Sequence, residues 1–165
     1  NNDIFGSNSS KPGLFCYSTE LKGFMDADSG NEINTVRKPA DSKMNLVGIK
    51  GMYDLFQGPD HFLYGTKTDN GGFELFVYDP NIGEIVSTLS FRDSLASPLK
   101  NSLQLGQDGY IYGFTTSSIY RFKPGILPVV EKVIEQKDGF SVPGPIVGNE
   151  IYFAKGPVLK AVKLR

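Results

Sequence analysis

Four times along this chain an apolar–aromatic pair is followed by a small or polar loop and then by a second alternating run. The copies are IFGSNSSKPGLFCYS (4–18), LYGTKTDNGGFELFVYD (63–79), IYGFTTSSIYRFKP (111–124) and IYFAKGPVLKAVKL (151–164). A unit that recurs in this way buries its apolar face only against its neighbours, so the repeat constrains the architecture more than any single residue does. The anchors Phe5, Tyr64, Tyr112 and Tyr152 are spaced 59, 48 and 40 residues apart. The approach to the anchor repeats as well: FQGPDHFLYG, QLGQDGYIYG and PIVGNEIYF each place a strand, a Gly with Asp or Asn, and the next strand. Gly, Asn and Asp tolerate positive φ, which suits a tight hairpin.

After the second strand comes a further turn and strand, YDPNIGEIVSTLSF (78–91) in one copy and FKPGILPVVEKVIEQ (122–136) in the next. A unit therefore reads strand A, turn, strand B, polar loop, strand C, turn, strand D. That is a four-stranded antiparallel meander, and the spacing brackets the ~40–50 residues of a β-propeller blade. Helical patterning is nearly absent. The one candidate, DSLASPLKNSLQL (93–105), carries Pro98 in its middle and reads as a loop with at most one turn. The expectation is an all-β chain forming a single β-propeller segment, with blades at about 1–43, 44–92, 93–138 and 139–165. The first and last are incomplete. Three, four, four and three strands fall short of a closed ring, so the remaining blades are expected from further sequence or from a partner chain.

On these stretches, above all DGYIYGFTTSSIYRFKPG and DHFLYGTKTDNGGFELFVYDPNIGEI, the chain resembles the broad propeller group of YVTN-like, SMP-30-like and quinoprotein-like repeats. The resemblance is one of repeat pattern and spans nearly the whole chain. It implies a propeller fold and no particular chemistry, because propellers host enzymes and binding modules alike. The chain has no Trp, the paired glycines of kelch blades do not recur, and the sialidase box is missing.

Among 165 residues the formal net charge is −1 and the seventeen Lys and Arg are scattered, which argues against a nucleic-acid binder. No apolar run approaches the ~20 residues of a membrane-spanning helix. Cys16, the single cysteine, lies in the apolar run LFCY and reads as a buried, inert thiol. The start at Asn1 reads as a processed protein or an excerpt, and Asn8-Ser9-Ser10 is a formal glycosylation sequon. The start does not reveal the compartment; the lack of an internal disulfide, the sequon and the Asn/Ser/Gly/Tyr-rich surface lean towards a secreted or periplasmic protein, though the first fits the cytosol equally.

DADSGNE (26–32) offers Asp26, Asp28 and Glu32 at alternate positions, as oxygen-rich calcium loops do. The twelfth position, where an EF-type loop needs Glu, is Arg37, so a hairpin turn like DPNIGE (79–84) is the better reading. His61, the only histidine, sits in the turn GPDHF beside Asp60, at a place expected to match Gly109 and Glu150. An imidazole beside a carboxylate is the arrangement of a general base, but a solvent-exposed turn is the plainer reading. With one His and one Cys, no zinc site of those ligands assembles from this chain. No cofactor is implied.

Propellers bind at the face where the B–C loops and the entries to the inner A strands converge. Here that face brings together Lys50, Tyr53 and Asp54, Lys67, Asp69 and Asn70, Lys100 and Asn101, and Thr115 and Ser117. Hydroxyls, amides, an aromatic face and mixed charges suit a glycan or an extended peptide. Tyr64, Tyr78, Tyr112, Tyr120 and Phe122 recur at strand positions and are expected to pack between blades. The function expected is a non-catalytic ligand-binding or protein/glycan-interaction module. Its alternatives are part of a polysaccharide lyase or hydrolase completed by other blades, and a structural spacer in a surface protein.

Overall fold

A computed structural model describes residues 4–7, 14–18, 23–26, 52–69, 72–91 and 95–164, the first three segments as backbone only. Alternation of apolar and polar residues, cut by Gly, Pro, Asn and Asp, makes these residues strands. Among them there are fourteen strands and no helix.

The strands are β1 (Ile4–Ser7), β2 (Leu14–Ser18), β3 (Gly23–Asp26), β4 (Met52–Gln57), β5 (Leu63–Asp69), β6 (Gly72–Asp79) and β7 (Glu84–Ser90). They continue with β8 (Gln104–Leu105), β9 (Ile111–Phe114), β10 (Ser118–Phe122), β11 (Val130–Glu135), β12 (Val142–Val147), β13 (Glu150–Lys155) and β14 (Val158–Lys163). Each pairs antiparallel with its chain neighbour, giving sheets β1-β2-β3, β4-β5-β6-β7, β8-β9-β10-β11 and β12-β13-β14. Eleven of the strands, in the last three sheets, are described with their side chains. The chain is all-β, and each sheet is a meander; no closed ring forms among the described residues.

The repeated run G-x-D-x-aromatic-apolar-Tyr-Gly has a physical reason at nearly every position. In residues 58–65 the Asp60 carboxylate accepts the Phe62 N–H at 3.4 Å and the Tyr64 hydroxyl at 2.6 Å. In residues 106–113 Asp108 accepts the Tyr110 N–H at 3.2 Å and the Tyr112 hydroxyl at 2.7 Å. One aspartate thus closes the turn and fixes the ring of the next strand. The final glycine leaves room for a cross-strand ring. A Cβ on Gly65 would lie 2.0 Å from Phe76, and one on Gly113 would lie 2.3 Å from Tyr120. The fourth sheet makes the same connection with only Gly148 and Asn149 between paired Val147 and Glu150.

Burial follows the two-residue period. Tyr64, Phe73, Leu75 and Val77 of the second sheet meet Leu103, Ile111, Tyr120 and Phe122 of the third. The third sheet turns its other face, with Tyr112, Phe114 and Ile119, to Phe140, Ile151 and Phe153. Tyr64, Tyr78, Tyr112, Tyr120 and Phe122 are all fully buried. Ring pairs mark both junctions, Tyr64 with Phe122 at 5.3 Å and Phe114 with Phe140 at 5.5 Å. Such pairs are worth about 0.5–1.5 kcal/mol each beyond the area they bury.

The turn around His61 corrects one alignment. His61 has φ of 69° and donates its N–H to Gly58 O at 3.1 Å, while Gly109 has φ of 79° and donates to Gly106 O at 3.1 Å. Those two correspond. Glu150 does not, because the shorter Gly148-Asn149 turn makes it the first residue of β13.

Candidate functional site

The best-defined polar junction lies where β4 runs beside the segment leading into β8. The β4–β5 register shifts between Met52 and Asp54, so Tyr53 is the extra residue of a bulge. Bulges re-aim a side chain and leave backbone groups without ladder partners. The Asp54 carboxylate supplies partners for the neighbouring chain. Its Oδ2 accepts the N–H groups of Ser102 and of Leu103, the latter at 2.8 Å, and its Oδ1 accepts the Leu55 N–H at 3.0 Å. Burial pushes the Asp54 carboxyl above the usual carboxylate range, and these backbone hydrogen bonds oppose the shift.

The clamp lies beside Tyr53, Lys100 and Asn101. The Asn101 N–H donates to Tyr53 O at 3.4 Å, and Asn101 holds a left-handed φ of 54°. The Lys100 ammonium lies 5.8 Å from the centre of the Tyr53 ring, within cation–π range. Ser102 is buried, and its Oγ accepts the Phe114 N–H at 3.1 Å. Residues 100–103 are thereby fixed on both sides. Lys100 and Asn101 remain exposed, and Tyr53 is half-buried.

A second polar side chain joins the third sheet to the fourth. The Gln104 amide donates to Gly144 O at 2.6 Å and accepts the Ile146 N–H at 2.9 Å. These backbone groups belong to β12, whose register shifts between Pro143 and Ile146. Prolines fit there because β12 is an edge strand of its own sheet. Nothing in the sequence singles out Gln104 as a bridge. The weak signal is an amide in the otherwise apolar run SLQL.

The expected site residues separate into groups. Tyr53, Asp54, Lys100 and Asn101 come together as just described. Lys67 pairs with Glu74 at 2.8 Å across β5 and β6. Thr115 is fully buried, and its hydroxyl oxygen accepts the N–H groups of Ser118 at 2.8 Å and Ser117 at 3.3 Å. That hydroxyl serves its own turn rather than an open face. Ser117 is half-buried, its carbonyl accepting the Gln136 N–H at 2.9 Å. Lys50 and Asn70 lie outside the described residues, as do the side chain of Asp69 and the calcium candidates Asp28 and Glu32 with the side chain of Asp26. The Cys16 side chain and the Asn8 sequon lie outside them too.

Both Asp54 oxygens accept backbone donors, Oδ2 two of them and Oδ1 one, so the carboxylate is engaged in joining the two sheets. His61 is exposed on a turn at the opposite end of the strands. Among the described residues no three His, Cys, Asp or Glu side chains gather as metal ligands, and no helix is long and apolar enough to cross a membrane. No protein-family model, curated protein or solved structure matches the chain.

Proposed function

We propose that the four meanders are successive blades of a β-propeller segment, and that the segment is a non-catalytic module holding a glycan over Tyr53, Lys100 and Asn101. Support for the blades comes from the consecutive strand order and from sheets that pack face to face through repeated aromatics. The observation that carries the binding reading is the Asp54 clamp. It lies beside an aromatic ring and an ammonium that face one another, with Asn101 joined to Tyr53 through the backbone. An aromatic face packs on the C–H surface of a sugar ring while the amide and ammonium meet its hydroxyls.

A glycan array probed with the full chain tests this. Retention of one glycan class is expected, with Tyr53→Ala and Lys100→Ala each weakening it by roughly tenfold, about 1.4 kcal/mol. No retained glycan, or retention unaffected by Tyr53→Ala, sinks the assignment. Release of shorter products from a retained glycan removes the word non-catalytic.

A further inference from the structure

The opposite end of the strands carries a different surface. The 58–62 and 80–83 turns of the second sheet and the 106–110 and 123–129 connections of the third all lie at the end where Gln57 pairs with Leu63 and Leu105 with Ile111. The two sheets present that end in the same direction, because the Tyr64 hydroxyl of β5 accepts the Gly125 N–H of the third sheet's connection. On it, Ile82 is 60% exposed, Ile126 51%, Leu127 80% and Val129 75%. Leaving aliphatic side chains this open on turns at one end of the strands costs solvation and contributes nothing to the core.

The apolar tip is built to stay in place. Pro124 and Pro128 restrict its backbone, and the Tyr64 hydroxyl ties Gly125 to the turn below through Asp60, to which it donates at 2.6 Å. The surrounding charge is mostly negative, with Lys123 the one cation outside an ion pair among the described residues of these turns. Asp60 lies beside the tip, and Asp79 and Glu84 flank Ile82; among the described residues none of the three forms an ion pair. Lys123, at the base of the tip, lies 5.4 Å from the Tyr110 ring, over which Arg121 also sits at 4.4 Å. Arg121 in turn pairs with Glu131 at 3.1 Å.

We propose that this end docks a protein segment whose aliphatic or aromatic side chains cover Ile82, Ile126, Leu127 and Val129 while its Lys or Arg residues meet Asp60, Asp79 and Glu84. The fixed tip limits the ordering cost on this side, and the spare carboxylates select against acidic segments and against an anionic lipid surface. This surface is distinct from the Tyr53 junction, so the two assignments stand or fall separately.

The test is to pan a displayed random-peptide library on the full chain. Enriched peptides are expected to combine apolar residues with Lys or Arg. Their retention should fall by roughly tenfold or more on Leu127→Asp and on Ile82→Asp, and stay unchanged on Tyr53→Ala. Both substitutions sit at exposed positions, and unchanged thermal melting separates lost docking from lost folding. Should Leu127→Asp alter the melt, Leu127→Ser is panned in its place. The proposal is overturned if no peptide is enriched, if the enriched ones are acidic, or if they bind the variants as well as the parent. It is equally overturned if sedimentation shows a dimer that Leu127→Asp dissolves, which assigns the surface to a second copy. Co-sedimentation with phosphatidylcholine/phosphatidylglycerol vesicles that Leu127→Asp abolishes assigns it to a membrane and also overturns it.

Discussion

Replacing Asp54 by Ala tests how much of the second-to-third-sheet junction rests on one carboxylate. The substitution leaves the N–H groups of Ser102 and Leu103 without their acceptor, on a residue pair that is almost wholly buried. An orphaned buried donor costs about 1–3 kcal/mol, so two give about 2–6 kcal/mol. Against this, the variant no longer has to bury a carboxylate, whose raised pKa records a desolvation penalty. The net expectation is a loss of about 2–4 kcal/mol, a large share of the 5–15 kcal/mol typical of a domain. Asp54→Asn keeps one acceptor oxygen but turns an NH₂ towards a backbone donor, and should cost about 1–2 kcal/mol. Urea unfolding followed by near-ultraviolet circular dichroism reads the differences at constant slope. Amide exchange at Ser102 and Leu103 adds a local readout, since both should lose protection ahead of the core strands. A loss under about 0.5 kcal/mol for Asp54→Ala, the range of an ordinary surface change, refutes the clamp.

The pH dependence follows from the same group. Because the folded Asp54 carboxyl titrates above the ordinary value of 3.8, the stability it contributes is fully present below pH 3.8 and declines as pH rises through the folded value. The difference in stability between the parent and Asp54→Asn should therefore narrow with rising pH, and a gap that widens refutes the direction. His61→Gly should stabilise the fold by about 0.5–1 kcal/mol, because a left-handed residue that is exposed and makes no core contact gains by losing its Cβ. A lowered melting temperature counts against this. Gly113→Ala should destabilise by about 1–3 kcal/mol, since the new Cβ meets the Tyr120 ring at 2.3 Å in a fully buried site. Here a neutral melt shows that the ring has room to move.

The repeat made the strands legible because its signals are local. A glycine two residues before an aspartate, then an aromatic and a Tyr-Gly pair, specify a turn and the strand after it with partners four residues apart, as in Asp60 with Tyr64. The junction residues carry no such mark. Gln104 meets Ile146 at a separation of 42 residues and Asp54 meets Ser102 at 48, and in both cases the partner is a backbone group present at every position. The bulge at Tyr53 likewise depends on a register set by the whole β4–β5 pair. Thr115 is the opposite case. Its inward-turned hydroxyl follows a local Thr-x-x-Ser turn, so the alternative to a ligand role was present in TTSS itself.

The geometry of the junctions also sets what Asp54 and Gln104 do. A register shift frees backbone donors and acceptors, and in a buried seam each must find a partner. Asp54 and Gln104 meet that need across adjacent sheets, with all four of their polar side-chain atoms engaged. These two side chains are thereby committed to the fold, and a ligand drawing on them would have to displace hydrogen bonds already made. Tyr53, Lys100 and Asn101 differ in kind. Their backbone is fixed by the clamp, their side chains are only partly covered, and the interaction between Lys100 and Tyr53 is weak enough for a ligand to replace. Asp54 and Gln104 are thus engaged in joining sheets, and among the described residues beside the Asp54 junction it is the Tyr53 ring and the Lys100 ammonium that stay partly open.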